Sequence, residues 1–187
     1  MHDLLKPIHE RTLMRIAHGD APTEVLADVC REFERLAGGV AGVTILEPTA
    51  QVFEQGVFPS LSPDYGRSLA GIAVSDRPGS CALAVAAGQT VECPDVAADE
   101  RFSDEWKALS LRHGLKALVS IPALHRDGHA LGTFVVAYAP EAPLGPMQRA
   151  LAGEFAVLSG FVLAYRQTRL EHEQAVGEPP LRAEIAA

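Results

Sequence analysis

Basic residues are in short supply: 16 Lys and Arg stand against 24 Asp and Glu, a formal net charge of -8. No stretch gathers more than a few Lys or Arg, so the electrostatic footprint of a phosphate-backbone binder is missing and nucleic acid is not expected as a direct partner. Long apolar runs are missing too. None approaches the roughly 18 residues that span a bilayer. The opening MHDLLKPIHERTLMRIAHGD scatters charges through its apolar residues, whereas a secretory signal keeps an unbroken apolar stretch. No membrane partner and a cytoplasmic location are therefore expected. Cysteine is sparse: Cys30, Cys81 and Cys93 are odd in number and lack CxxC spacing, which argues against a disulfide framework and a thiolate zinc site. Free thiols, buried or reactive, are the remaining readings. There is no GxxxxGK[ST] phosphate cradle, and no nucleophile, base and orienting group stand at recognisable spacing. No enzyme activity is expected, and no catalytic or metal-ligating residue is assigned.

What is present suits one folded domain, since 48% hydrophobic and 21% charged residues in a 187-residue chain are ordinary globular values. Leu5, Ile8, Thr12 and Ile16 recur at helical spacing over an N-terminal helix in residues 1–19. Val25, Leu26, Val29, Phe33 and Leu36 mark a second amphipathic helix closed by Gly38-Gly39. Residues 40–46 and 51–58 read as a hairpin, 90–96 as a third strand, and 117–125 and 130–139 as a second hairpin turning on Asp127-Gly128. Residues 80–87 and 103–113, the latter capped by Ser103, read as short helices. The expected fold is α+β: an antiparallel sheet of five or six strands, terminal helices on one face and short helices on the other.

After Pro146 comes a long helix over 145–176, with a sensor core at 20–144 and a disordered tail at 177–187 stopped by Pro179-Pro180. Along the helix, Leu151, Phe155, Leu158, Val162 and Tyr165 alternate steps of four and three, the heptad period. A second apolar row, Ala150, Val157, Phe161 and Ala164, implies two buried faces, one on the chain's own sheet and one on a second copy. The heptad seam is the expected homodimer interface.

Local phrases narrow the fold. Gly79-Ser80-Cys81-Ala82-Leu83-Ala84, Gly88-Gln89-Thr90-Val91-Glu92-Cys93-Pro94-Asp95-Val96, Asp104-Glu105-Trp106, the run His113 to Pro122 and Asp127 to Phe134 resemble, in order and spacing, the GAF domain family over residues 20–165. In particular they look like the GAF domains beside cyclic-di-GMP synthases and phosphodiesterases in bacterial signalling proteins. The resemblance implies a small-molecule pocket between the sheet and the short helices, in a regulatory module coupled to an output domain or protein. Neither the ligand nor any cofactor is named by it. Bilin attachment is not expected, because the Cys-His pair of those relatives would fall near Glu105-Trp106, and the Asn-Lys-x-Phe-Asp-Glu pattern of cyclic-nucleotide binders is missing.

Within that frame, Ser80, Cys81, Trp106, His113, Ser120 and Thr133 are the candidate ligand-binding residues. Cys81, at the start of a short helix, is either a thiol activated by the helix dipole or a small buried hydrophobe. It also resembles the Gly-x-Cys of free-methionine sulfoxide reductases, which makes a thiol sensor or reductase the alternative reading, although residues 102–119 lack those enzymes' further cysteine. Trp106 is a pocket wall or plain core. His113 is a haem or metal ligand or a helix cap. His125 and His129 bracket a turn and can face each other, but a pair without a third ligand is ordinarily solvated.

Overall fold

The computed structural model describes residues 2–47, 49–74 and 79–177. Helix α1 (His2–Ala17) leads into α2 (Pro22–Ala37), which starts with Pro22 in the first turn, where its missing N–H costs nothing. It ends at Gly38, whose φ of +75° suits a residue without Cβ. The stripe Val25, Leu26, Val29, Cys30, Phe33 is buried along one side of α2. Five strands follow: β1 (Val40–Glu47), β2 (Val52–Phe53), β3 (Val91–Cys93), β4 (Ala117–Leu124) and β5 (Ala130–Tyr138). They form one antiparallel sheet in the order β2-β1-β5-β4-β3. Three short helices, α3 (Pro63–Ser68), α4 (Ser80–Ala87) and α5 (Asp104–Arg112), and the long α6 (Pro146–Gly177) complete the chain.

Alternation along the strands sends two sets of side chains to opposite faces. Ala41, Val43 and Ile45 of β1 and Phe134 and Val136 of β5 pack with α1, α2 and α6. In that layer Phe33 meets Phe134 and Phe155 edge-on, with ring centroids 5.3 and 5.4 Å apart. On the other face Leu118, Val135 and Ala137 pack with Cys81, Ala82 and Ala84 of α4 and Trp106 of α5. The α+β layering therefore stands as the pattern implied.

Three elements differ in extent from their sequence signals. The expected strand over 51–58 pairs with β1 at Val52–Phe53, keeps one more hydrogen bond from Glu54 N–H to Ile45 O, and then leaves the ladder as Gly56 N–H donates to Gly66 O. A single bridge, Val43 to Val57, is all that remains of the rest. Helix α3 was not anticipated, although its start signals are plain: Ser62 accepts from Asp64 N–H at 3.3 Å and Pro63 follows it. The third strand stops at Cys93 since Pro94 has no N–H to donate and Asp95 turns the chain by accepting from Ala97 and Ala98.

The fourth difference concerns α6. Leu151, Phe155, Leu158 and Val162, read from their heptad spacing as a dimer seam, are buried in the core of their own chain, and Tyr165 is half-buried. A helix lying on a sheet needs the same stripe that a coiled coil needs, so the spacing alone does not tell them apart. Of the second row, Val157 at 71% and Phe161 at 51% are exposed, as are Met147 near the start of the helix and Leu170 further along, while Ala164 packs partly against the core. Helix α6 is anchored along its length. Gln148 donates to Ala37 O at the end of α2, and Arg149 pairs with Glu92 of β3. Arg166 makes a two-pronged ion pair with Glu54 at 3.1 and 2.6 Å. The proposed tail residues 178–187 lie outside the described residues.

Candidate functional site

Beneath the short helices, a line of hydroxyls crosses an otherwise apolar layer. Thr44 of β1 and Thr133 of β5 are direct cross-strand partners, and their hydroxyls meet at 2.7 Å while Thr133 N–H donates to Thr44 Oγ1 at 3.1 Å. Ser120 of β4 sits one diagonal step away, since Pro122 rather than Ser120 pairs with Thr133. Its hydroxyl meets that of Ser80 at 2.8 Å and the Cys81 thiol at 3.6 Å. All four hydroxyl side chains are fully buried. Close approach at two glycines makes this possible. A Cβ on Gly132 would lie 1.9 Å from Thr44 O, and one on Gly79 would lie 2.0 Å from the Trp106 indole nitrogen.

Helix α4 reaches the sheet because its residues are small, Ser-Cys-Ala-Leu-Ala-Val-Ala-Ala, and it ends at Gly88 with φ of +61°. Ser103 caps α5 by accepting from Trp106 N–H at 3.1 Å, which seats Trp106 over Gly79. The space enclosed by Thr44, Phe53, Leu69, Ile72, Gly79, Cys81, Ala82 and Trp106 is only about 10 Å³, room for one water at most. Tyr65 of α3 is buried and packs edge-on against Phe58, with ring centroids 4.8 Å apart. Burial pushes its phenol up, with the neighbouring Cys81 thiol adding to the effect. Ser110 of α5, fully buried, has no well-formed hydrogen bond among the described residues, although it lies beside the Tyr65 hydroxyl.

Burial decides the chemistry of the thiol. The helix start was a reason to expect an activated Cys81, but desolvation pushes its pKa up, and the hydroxyls of Thr133, Ser120 and Ser80 only partly offset this. Cys81 is a neutral thiol at pH 7. Cys93, pushed up to about 12 by burial first and by Asp99 second, is neutral as well, and so is the fully buried Cys30.

Of the six candidate residues, Ser80, Cys81, Ser120 and Thr133 come together in one cluster, and Trp106 walls the small chamber beside it, which Cys81 and Thr44 also line. His113 stands outside it. It caps the end of α5, leans on Tyr65 with ring centroids 5.1 Å apart, and faces a separate cleft of about 350 Å³ shared with Gly39 and Tyr138. Thr44, Tyr65 and Ser110 belong to the site and were not read from sequence. A further open cavity of about 550 Å³ lies at the β2 edge between Glu24, Arg31, Phe58 and Arg166, away from the hydroxyl line.

The family model for the GAF domain matches residues 21–163, most of the chain. The chain belongs to the GAF domain family. This GAF domain is 28% identical over 127 residues to a methyl sulfide methyltransferase-associated sensor of Methanosarcina acetivorans, covering 67% of the chain but only 13% of that relative's length. Its fold is similar to the GAF domain of an Acinetobacter phosphoenolpyruvate-protein phosphotransferase, with TM-score 0.62, 14% identity, and coverage of 95% of this chain and 99% of the other. It is also similar to a free methionine-R-sulfoxide reductase of Neisseria meningitidis, with TM-score 0.63, 17% identity and 90% of each chain covered. Both likenesses concern fold alone. No described helix is long and apolar enough to cross a membrane.

Proposed function

We propose that this GAF domain is a sensory module whose chamber under α4 and α5 takes a small polar molecule and passes its occupancy to α6, paired with α6 of a second copy and with an output domain or protein. One observation carries the reading: four buried hydroxyls and a thiol are gathered where the first turn of α4 meets the sheet. A layer selected for packing alone would be filled with apolar side chains, since buried polar groups cost free energy unless hydrogen-bonded. Here they pair among themselves, and a ligand with donors and acceptors substitutes for those pairings at little cost. The phrase resemblance supports an output in cyclic-di-GMP turnover. The chamber's small volume means that any ligand larger than water enters only as α4 or α5 moves outward. Such movement is the means by which occupancy changes packing.

A second reading has one observation in its favour. The same volume of about 10 Å³ suits a purely helical interaction module that takes no ligand. The thiol-sensor and reductase alternative is less well supported, because the reacting species would be a thiolate and burial holds Cys81 protonated.

Native mass spectrometry of the protein purified from cells tests the proposal. A small non-covalent mass, present on the wild type and lost from the Ser120→Val and Thr133→Val variants, is the expected result. A bare chain that also shows no thermal stabilisation across a panel of small polar metabolites would leave the interaction module as the better account.

A further inference from the structure

The hairpin between β4 and β5 carries a constellation unrelated to the chamber. His125 and His129 close the turn: His125 N–H donates to His129 O at 2.8 Å, and Gly128, with φ of +95°, allows the tight reversal. As a closing pair they project from the same face, and their rings lie 4.8 Å apart at 32°. Asp127 lies between them, with one carboxylate oxygen 2.5 Å from His129 Nδ1 and the other 3.0 Å from His125 Nδ1. The third ligand that two histidines alone would lack is thus supplied from within the turn.

We propose that this hairpin tip is a mononuclear site for a divalent transition metal, with His125 Nδ1, His129 Nδ1 and the Asp127 carboxylate as its protein ligands. One donor atom from each residue lies within 4.8 Å of the other two. Around a tetrahedral ion with bonds of about 2.0–2.2 Å, neighbouring donors sit roughly 3–3.5 Å apart, so the side chains need only small rotations. His129 and Asp127 are exposed side chains of the turn, with solvent-side room to adjust. The ordinary alternative is a solvated turn in which each imidazole donates to Asp127. His125 does not fit it. Its Nδ1 is shielded from solvent, and its one close partner among the described residues is the Asp127 carboxylate at 3.0 Å, with which it forms no well-aligned hydrogen bond. A metal ion satisfies that lone pair directly. Two imidazoles and one carboxylate favour zinc, copper, nickel or cobalt over calcium and magnesium, which take oxygen ligands. Water completes the coordination, so the ion is exchangeable. The base of the hairpin presses on the middle of α6, where a Cβ at Gly160 would lie 2.5 Å from Leu124 O, one residue from the exposed Phe161. Metal occupancy would therefore stiffen a loop that rests on the helix.

Calorimetric titration of the whole, chelator-stripped protein with zinc chloride, beside long-range proton–nitrogen NMR of the imidazoles, tests the site. Saturable uptake of one ion per chain is expected, with the ring nitrogens of His125 and His129 moving to metal-bound shifts. His129→Gln and Asp127→Asn should each weaken uptake about tenfold or more, since loss of even an outer-shell partner costs that much. His9→Gln combined with His18→Gln should leave it unchanged. Both site variants are at an exposed turn, and Asn keeps the turn chemistry of Asp, so amide spectra matching the wild type are expected. Absence of saturable uptake, or uptake that both site variants retain in full, overturns the proposal.

Discussion

Ser120 shows how strand register, rather than residue type, decides what a side chain does. On β4 it alternates with Val119 and Ile121, which face the helical layer, so its hydroxyl must face α4, where Ser80 and Cys81 wait. Ser80, Cys81, Ser120 and Thr133 were legible because each sits in a short phrase whose spacing resembles the family's. Thr44 and Tyr65 were not, since their value comes from partners 89 residues along the chain, in the case of Thr44 and Thr133, or from a helix whose start was missed. At Cys81 the start of a helix does not produce a thiolate, because desolvation of the buried thiol outweighs the dipole. The buried thiols have a measurable consequence. A group whose folded pKa is raised contributes fully below its unfolded value and loses that contribution as pH rises above it. Cys93, pushed up to about 12, starts to do so above the ordinary thiol value of about 8.5. Unfolding free energies from urea titrations should be flat from pH 7 to 8.5 and then fall, by on the order of 1–2 kcal/mol at pH 10 for Cys93 alone. A Cys93→Ala variant should show a shallower fall, and equal slopes in the two proteins would contradict the assignment.

At the scale of elements, period and punctuation carried most of the fold. Helices α2, α4 and α5 and the β4–β5 hairpin fall within a residue or two of their signals, because caps at Ser103 and Gly88 and the Asp127-Gly128 turn are local chemistry. Strands β2 and β3 are shorter than their signals because the chain turns away at Gly56 and at Pro94-Asp95, although Val57 and Val96 beyond those turns still hydrogen-bond to Val43 and Lys116. Helix α6 (Pro146–Gly177) lies where its signals imply, with the heptad seam in the chain's own core and Val157 and Phe161 exposed. The dimer proposal thus rests on those two residues. Multi-angle light scattering should find a dimer for the wild type and a folded monomer for Phe161→Glu, because a charge at the centre of an apolar helix contact is left unpaired. A wild-type monomer, or a Phe161→Glu dimer, would refute pairing through this face.

For the whole molecule, the sheet separates two layers with different tasks. The α1, α2 and α6 side is a continuous apolar core centred on Phe33, Phe134 and Phe155. The α4 and α5 side holds hydroxyls, a thiol and a closed chamber of about 10 Å³. Helix α6 is tied to the sheet between the layers through Arg149 to Glu92 of β3 and Arg166 to Glu54 beyond β2. A sensor built this way needs its chamber wall to open while the other layer stays intact, so the two sides must differ in local stability. Native-state hydrogen exchange, measured amide by amide across increasing denaturant, tests that need directly. The account predicts that α4 and α5 exchange through a partial opening well below the free energy at which β4, β5 and α2 exchange. Exchange of α4 and α5 only through global unfolding, at the same free energy as β4 and β5, would contradict a chamber that opens to admit a ligand.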